Sequence, residues 1–169
     1  VGWLDSNVWF AHLVYVDKQD IKKLSAHNVG MAHCPTSNMR LGSGIAPVAK
    51  MKNTAMRIGL GVDGSSSNDS GNFLLEIRNA LLLQRVKYGA GALTPREALS
   101  FATMGGAKVL RMEKEIGSIE KGKAADIIGF KMDRLEFAGG LTDPIASLVL
   151  CDACLLYTSD AADDMQCVD

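Results

Sequence analysis

Apolar residues in this chain fall into short runs, separated by polar stretches with helical spacing. The pattern predicts strand followed by helix three times in succession. Residues 8–14, Val8-Trp9-Phe10-Ala11-His12-Leu13-Val14, form the first apolar run and predict a buried strand. Residues 17–27 follow with Ile21 and Leu24 at helical spacing and Asp17 in a capping position. Residues 30–34 predict a second strand, closed by Pro35, and residues 45–52 a short helix. Residues 57–63 predict the third strand, which runs into a polar loop over 64–71. The strongest helix signal covers 73–88, with Leu74, Ile77, Leu81 and Leu82 on one side.

This order favours an α/β fold with a parallel sheet and helices outside it, either a barrel or an open doubly wound sheet. Thr94-Pro95-Arg96-Glu97 then has the form of a capping box with proline at the first helical position, and its helix is predicted to stop near Gly105-Gly106. Past that point the texture changes. Ile116-Gly117-Ser118-Ile119, a charged turn and Asp126-Ile127-Ile128-Gly129-Phe130 predict a hairpin in a small β unit. The expected division is therefore a barrel-type segment over 1–112 and a β-sandwich segment over 113–153.

Composition narrows the function classes. An apolar content of 47% and a charged content of 22% belong to a globular chain with a core. A net charge of -1 provides no attraction to nucleic acid or an anionic membrane, and no apolar run approaches the ~20 residues of a membrane span. Four cysteines suggest a reduced, cytoplasmic protein rather than a disulfide scaffold. Val1-Gly2-Trp3-Leu4 has neither an initiator methionine nor a signal-peptide pattern and reads as an internal cut.

Three residues with chemical potential end the three strand candidates: His12, His33 and Asp63. In a parallel barrel the strand C-termini open on one face, where the three would converge. A histidine at a buried strand end, taken alone, also reads as a packed core residue. Asp63 requires a hydrogen-bonding, ionic or metal partner if buried, and also reads as a helix cap or turn residue. Gly59-Leu60-Gly61-Val62-Asp63-Gly64 matches the spacing of a dinucleotide-binding turn. An acidic residue inside that turn, and Ser65 to Ser70 between it and the next helix, argue against a pyrophosphate site. Lys18, Lys22 and Lys23 read as a solvated helix face, and Met104, Met112 and Met132 as packing residues.

Ala32-His33-Cys34-Pro35-Thr36-Ser37-Asn38-Met39-Arg40-Leu41-Gly42-Ser43-Gly44 and Gly61-Val62-Asp63-Gly64-Ser65-Ser66-Ser67-Asn68 resemble the amidohydrolase superfamily on its aminohydrolase branch. Ile116-Gly117-Ser118-Ile119-Glu120-Lys121-Gly122-Lys123-Ala124-Ala125-Asp126-Ile127 resembles that branch's C-terminal hairpin. The resemblance implies strands six to eight of a (β/α)8 barrel plus part of a small β-sandwich. It implies a metal-dependent hydrolase of carbon–nitrogen bonds outside peptides, which deaminates a purine-like or triazine-like ring such as 8-oxoguanine or a hydroxytriazine. A chlorohydrolase or a guanine or S-adenosylhomocysteine deaminase of the same fold is the alternative, and a small nucleotide-binding or non-catalytic protein is the alternative of another class. By the same resemblance Asp63 is a metal ligand and catalytic residue, and His12 contacts the hydrolytic water or the substrate. His33 has a substrate-side role. The cofactor it implies is one divalent ion, zinc by preference, and the partner a small heterocycle, and it is compatible with a homo-oligomeric parent. The family's His-x-His and His-x-x-Glu ligand motifs are not in this sequence and are expected upstream, so the chain alone is expected to be inactive and poorly stable.

The segment Cys154-Leu155-Leu156-Tyr157-Thr158-Ser159-Asp160-Ala161-Ala162-Asp163 resembles a translated sequencing adapter. Residues 154–169 are accordingly expected not to be natural protein, which removes Cys151-Asp152-Ala153-Cys154 as a redox or zinc motif.

Overall fold

In the computed structural model, residues 2–151 are described together with the backbone of Leu155–Thr158. Three parallel strands, β1 (Trp9–Ala11), β2 (Gly30–His33) and β3 (Arg57–Leu60), lie side by side in sequence order. Phe10, Met31 and Ile58 stand at one level of the register. Helix α1 (Lys18–Ala26) joins the first two strands. It starts where predicted, on a reciprocal capping box between Asp17 and Asp20, and buries Ile21 and Leu24. Lys18, Lys22 and Lys23 are exposed, as a solvated face requires.

The first strand is shorter than the apolar run. His12 (φ 67) and Leu13 (φ 43) adopt left-handed backbone, which turns the chain out of the sheet after Ala11. Pro35 does not merely close β2. It occupies the first turn of an unpredicted helix, α2 (Pro35–Arg40), where its missing N–H costs nothing. Helix α3 (Val48–Met51) forms within the predicted 45–52 helix and buries Val48 and Met51.

Helix α4 (Phe73–Tyr88) has the predicted span, and of its predicted apolar side Ile77 and Leu81 are buried and Leu74 packs partly buried on the core. Leu82 is 38% exposed, while Glu76, Ile77, Ala80, Leu81 and Gln84 are buried. The two polar members serve neighbouring backbone. Glu76 accepts from Thr36 N–H, and Gln84 accepts from Ala49 N–H and donates to the Ala46 carbonyl. Hydrophobic spacing alone misses Glu76 and Gln84 because they are hydrogen-bonding groups that satisfy the loops packed on the buried side.

Helix α5 (Pro95–Ser100) opens on the predicted capping box of Thr94 and Glu97. The two glycines do not stop it. The chain passes through a wider π-helical turn, Phe101–Gly105, into α6 (Gly106–Leu110), which ends at the left-handed Arg111 (φ 63). The glycines are there for proximity. A Cβ on Gly105 would lie 2.2 Å from the Ile58 carbonyl oxygen, and one on Gly59 would lie 2.9 Å from the Gly106 Cα. Val109 lies against Gly30 and Gly59. Met31 and Ile58, on the alternate strand positions, join Val48, Met51, Ile77, Leu81 and Phe101 in the main core.

Arg57 ties the lower end of the sheet together. Buried to 8% exposure, it donates through Nε to the Asn28 carbonyl and through Nη1 to those of Lys108 and Val109. Its Nη2 reaches the carbonyls of Ser6 and Val8.

The predicted hairpin is not formed. Gly117 (φ 94) and Gly122 (φ 92) bend the 116–122 segment out of extended backbone, and Gly117 packs on Ala107 and Met104. Residues 128–130 instead form β4 (Ile128–Phe130), which pairs antiparallel with β5 (Leu155–Thr158). Helix α7 (Pro144–Leu150) lies between them in sequence and buries Ser147 and Val149. Cys154 and residues 159–169, most of the adapter-like segment, lie outside the described residues.

Candidate active site

Parallel strands bring their C-terminal ends to one mouth, and two of the three predicted site residues meet there. His12 follows β1, its N–H still bonded to the Ala32 carbonyl (3.0 Å) on β2. Asp63 follows β3 in left-handed backbone (φ 67). The His12 Nε2 and Asp63 Oδ2 atoms are 3.6 Å apart, and about a third of each side chain remains exposed (38% and 32%).

Each partner is held from a side. Ser37 Oγ (2.6 Å) and Ser67 Oγ (3.0 Å) both donate to Asp63 Oδ2. The Ser37 hydroxyl, the Gly64 N–H and the Ser67 hydroxyl hold this carboxyl below the ordinary aspartate value, against a small desolvation effect, with nearby His12 adding least. His12 Nδ1 lies 2.8 Å from Asn38 Oδ1. Beneath, Asn68 Nδ2 donates both to the Val62 carbonyl and to Glu76 Oε1, each at 2.8 Å. With the Thr36 N–H on its other oxygen, Glu76 links the start of α2 to the loop after β3.

His33 is not on this open surface. It is fully buried, and neither ring nitrogen has a hydrogen-bond partner among the described residues. Burial, with a smaller contribution from His12, pushes its imidazole down to about 4, so the ring is neutral. Cys34 beside it is pushed up to about 11 by burial and by the carboxylates of Asp63 and Glu76, and remains a thiol.

Ser37, Asn38, Ser67, Asn68 and Glu76 were not singled out from the sequence. Their short polar side chains sit in what reads as loop. The available signal was density: nine of the polar residues between Thr36 and Asn72 are Ser or Asn, more than turns alone require.

The donor types at the mouth, one carboxylate and one imidazole, suit zinc, but their number does not. Among the described residues no cluster of three His, Cys, Asp or Glu is present. These residues do not by themselves make a metal site.

The chain belongs to the amidohydrolase family, whose model matches residues 1–156. It is similar to the 8-oxoguanine deaminase of Pseudomonas aeruginosa, 47% identical over 153 residues that make up 90% of this chain and 34% of that protein. A 5-methylthioadenosine/S-adenosylhomocysteine deaminase of Desulforudis audaxviator is 45% identical, over 79% of this chain and 31% of its own length. Among solved structures, a zinc-bound adenosine deaminase from Xanthomonas campestris superposes with a TM-score of 0.85 at 30% identity, covering 89% of this chain and 34% of that one. A zinc complex of the atrazine chlorohydrolase from Arthrobacter aurescens gives 0.83 at 33% identity, covering 89% and 34%. The chain thus has the α/β fold of part of an amidohydrolase barrel and spans about a third of the length of these relatives. No described helix is long and apolar enough to cross a membrane.

Proposed function

We propose that this chain carries the Asp63 half of the active site of a metal-dependent hydrolase that deaminates a purine-like or triazine-like ring. The observation that supports it is the meeting of His12 Nε2 and Asp63 Oδ2 at the strand ends, 3.6 Å apart, with Asp63 fixed by two serines.

Hydrolytic deamination requires water to attack an electron-poor ring carbon and ammonia or an amine to leave. A divalent ion held in part by Asp63, zinc by preference, would lower the pKa of bound water to near 7. The other ligands are expected from the two-thirds of the relatives' length that this chain does not span. Its hydroxyl and N–H donors hold Asp63 below the ordinary aspartate value, which favours the ionised form that can ligate a cation, and the same carboxylate is the acceptor for a proton of the attacking water. His12, on the substrate side, accepts a hydrogen bond from that water and orients it. Deamination is favoured over dechlorination because the 47% identical relative is a deaminase and the chlorohydrolase is 33% identical.

The test is a chimera in which residues 1–153 replace the matching third of the Pseudomonas aeruginosa enzyme. Ammonia release is assayed with 8-oxoguanine, guanine and hydroxytriazines, and metal content is measured alongside. Turnover of at least one of these is expected. Asp63→Asn should abolish it, and His12→Ala should lower kcat by about 10²–10⁴ with metal largely retained. A folded, metal-loaded chimera in which Asp63→Asn keeps substantial activity would remove Asp63 from the mechanism.

A further inference from the structure

Neighbouring positions on one short helix hold both members of the candidate site. Ser37 donates to Asp63, and Asn38 lies against His12. Successive helical residues diverge by about 100°, so α2 can reach two strand ends at once. Asn38 is 1% exposed, and its position is set by the chain around it: its N–H donates to the Cys34 carbonyl, and its own carbonyl accepts from Ser43 N–H.

A neutral imidazole has one nitrogen that donates and one that accepts. The Asn38 Oδ1 atom can only accept. With Oδ1 turned to the ring, the 2.8 Å contact with Nδ1 fits a proton on Nδ1, while the buried Asn38 Nδ2 has no partner among the described residues. Nε2 then keeps its lone pair. The distance from Nε2 to Asp63 Oδ2 agrees: at 3.6 Å it is too long for a direct N–H···O bond. A proton on Nε2 would be drawn toward that carboxylate and would leave the Nδ1 lone pair facing the Oδ1 lone pairs.

We infer that Asn38 is a positioning residue: it fixes the Nδ1–H tautomer of His12, so that His12 presents an acceptor nitrogen to the space beside Asp63. The inference rests on the proposed function for its purpose, since an acceptor there takes a hydrogen bond from water or from a ring N–H or amino group of the substrate. A donor there would instead point its N–H at the Asp63 carboxylate and leave nothing to accept from water or substrate. Asn38 is buried and acts through His12.

The tautomer can be read in the 169-residue chain itself, without metal or substrate, by long-range ¹H–¹⁵N NMR of its three histidines. The spectrum is taken about two pH units above the ordinary imidazole value of ~6.5. His27→Gln and His12→Gln assign the signals. The expected result is a His12 ring protonated on Nδ1. Asn38→Asp, which can only accept, should retain that pattern. Asn38→Leu should lower the ratio of Nδ1–H to Nε2–H about tenfold, the value of one ordinary hydrogen bond. A purely structural role for Asn38 would leave the ratio unchanged in every variant that folds. If Asn38→Leu does not fold, the parent chain and Asn38→Asp still decide. A proton on Nε2 in the parent, or a change of tautomer in Asn38→Asp, overturns the inference. An inactive chimera with the Nδ1–H tautomer intact would instead count against the proposed function and leave the role of Asn38 standing.

Discussion

Replacing Arg57 with methionine removes the guanidinium and keeps an unbranched apolar stem of comparable reach. Five carbonyls lose a donor, but not all are left bare. The Val8 carbonyl also receives Gly30 N–H, and those of Ser6 and Lys108 also receive Arg111. The carbonyls of Asn28 and Val109 have Arg57 as their only described donor. A buried acceptor left without a partner costs about 1–3 kcal/mol, so two of them put the expected loss at about 2–6 kcal/mol. Access of water at this end of the sheet should hold it toward the lower half of that range. Lysine keeps the charge and three donors but lacks the planar fork, and cannot reach carbonyls on both sides at once; its loss should be smaller than that of methionine. The assay is urea denaturation of the chain, comparing midpoints at unchanged m. If Arg57→Met unfolds within about 0.5 kcal/mol of the parent with the same m, Arg57 does not tie β1, β3 and α6 together, and the accounting of carbonyls is wrong.

Acid should unfold the chain through His33. In the fold its imidazole takes up a proton only near pH 4, whereas the unfolded ring does so at its ordinary 6.5, so this contribution is intact above pH 6.5 and is lost as pH falls toward 4. At about 1.4 kcal/mol per unit the loss is of order 3 kcal/mol, and His33→Leu should flatten the stability–pH curve in that window; identical curves would contradict the assignment. Gly105→Ala forces a Cβ to within 2.2 Å of the Ile58 oxygen and should cost at least about 2 kcal/mol in a thermal melt, whereas Gly91→Ala, with nothing within 4 Å, should be neutral or mildly stabilising. Glu76→Gln keeps the shape but turns an amide N–H₂ toward Thr36 N–H or Asn68 Nδ2, both donors; a loss of about 1–3 kcal/mol is expected, and no loss would mean that Glu76 does not link α2 to the loop after β3.

The parts of the fold that were readable from sequence are those where local chemistry and tertiary packing agree. The capping boxes at Asp17 and Thr94 announce their helices because the same side chains satisfy the first N–H groups in the folded chain. The three strand runs are legible because a sheet packed by helices selects apolar residues on alternate positions. His12 and Asp63 were legible from their places at strand ends; that they lie within 3.6 Å depends on left-handed backbone at both, which no periodicity reports. The glycines of α6 were misread for a physical reason. Glycine commonly marks a helix end, but at Gly105 and Gly106 it allows a helix to lie almost in contact with a strand. Glu76 and Gln84 were overlooked because a charge or amide in a helix is ordinarily solvated, and here each serves loop backbone that the sequence does not reveal as its partner.

The left-handed conformation of His12 and Asp63 also limits how this mouth can vary. Backbone with φ near 67° is open to glycine, to asparagine and aspartate, and less freely to histidine, but it is hostile to valine, isoleucine and threonine. The repertoire at both positions is therefore filtered by steric permission before any selection for reactivity. A saturation library at position 12 or 63 should return few soluble β-branched variants even when no catalysis is demanded. A search for altered chemistry has more room at exposed positions of the loop after β3, such as Ser66 and Ser70.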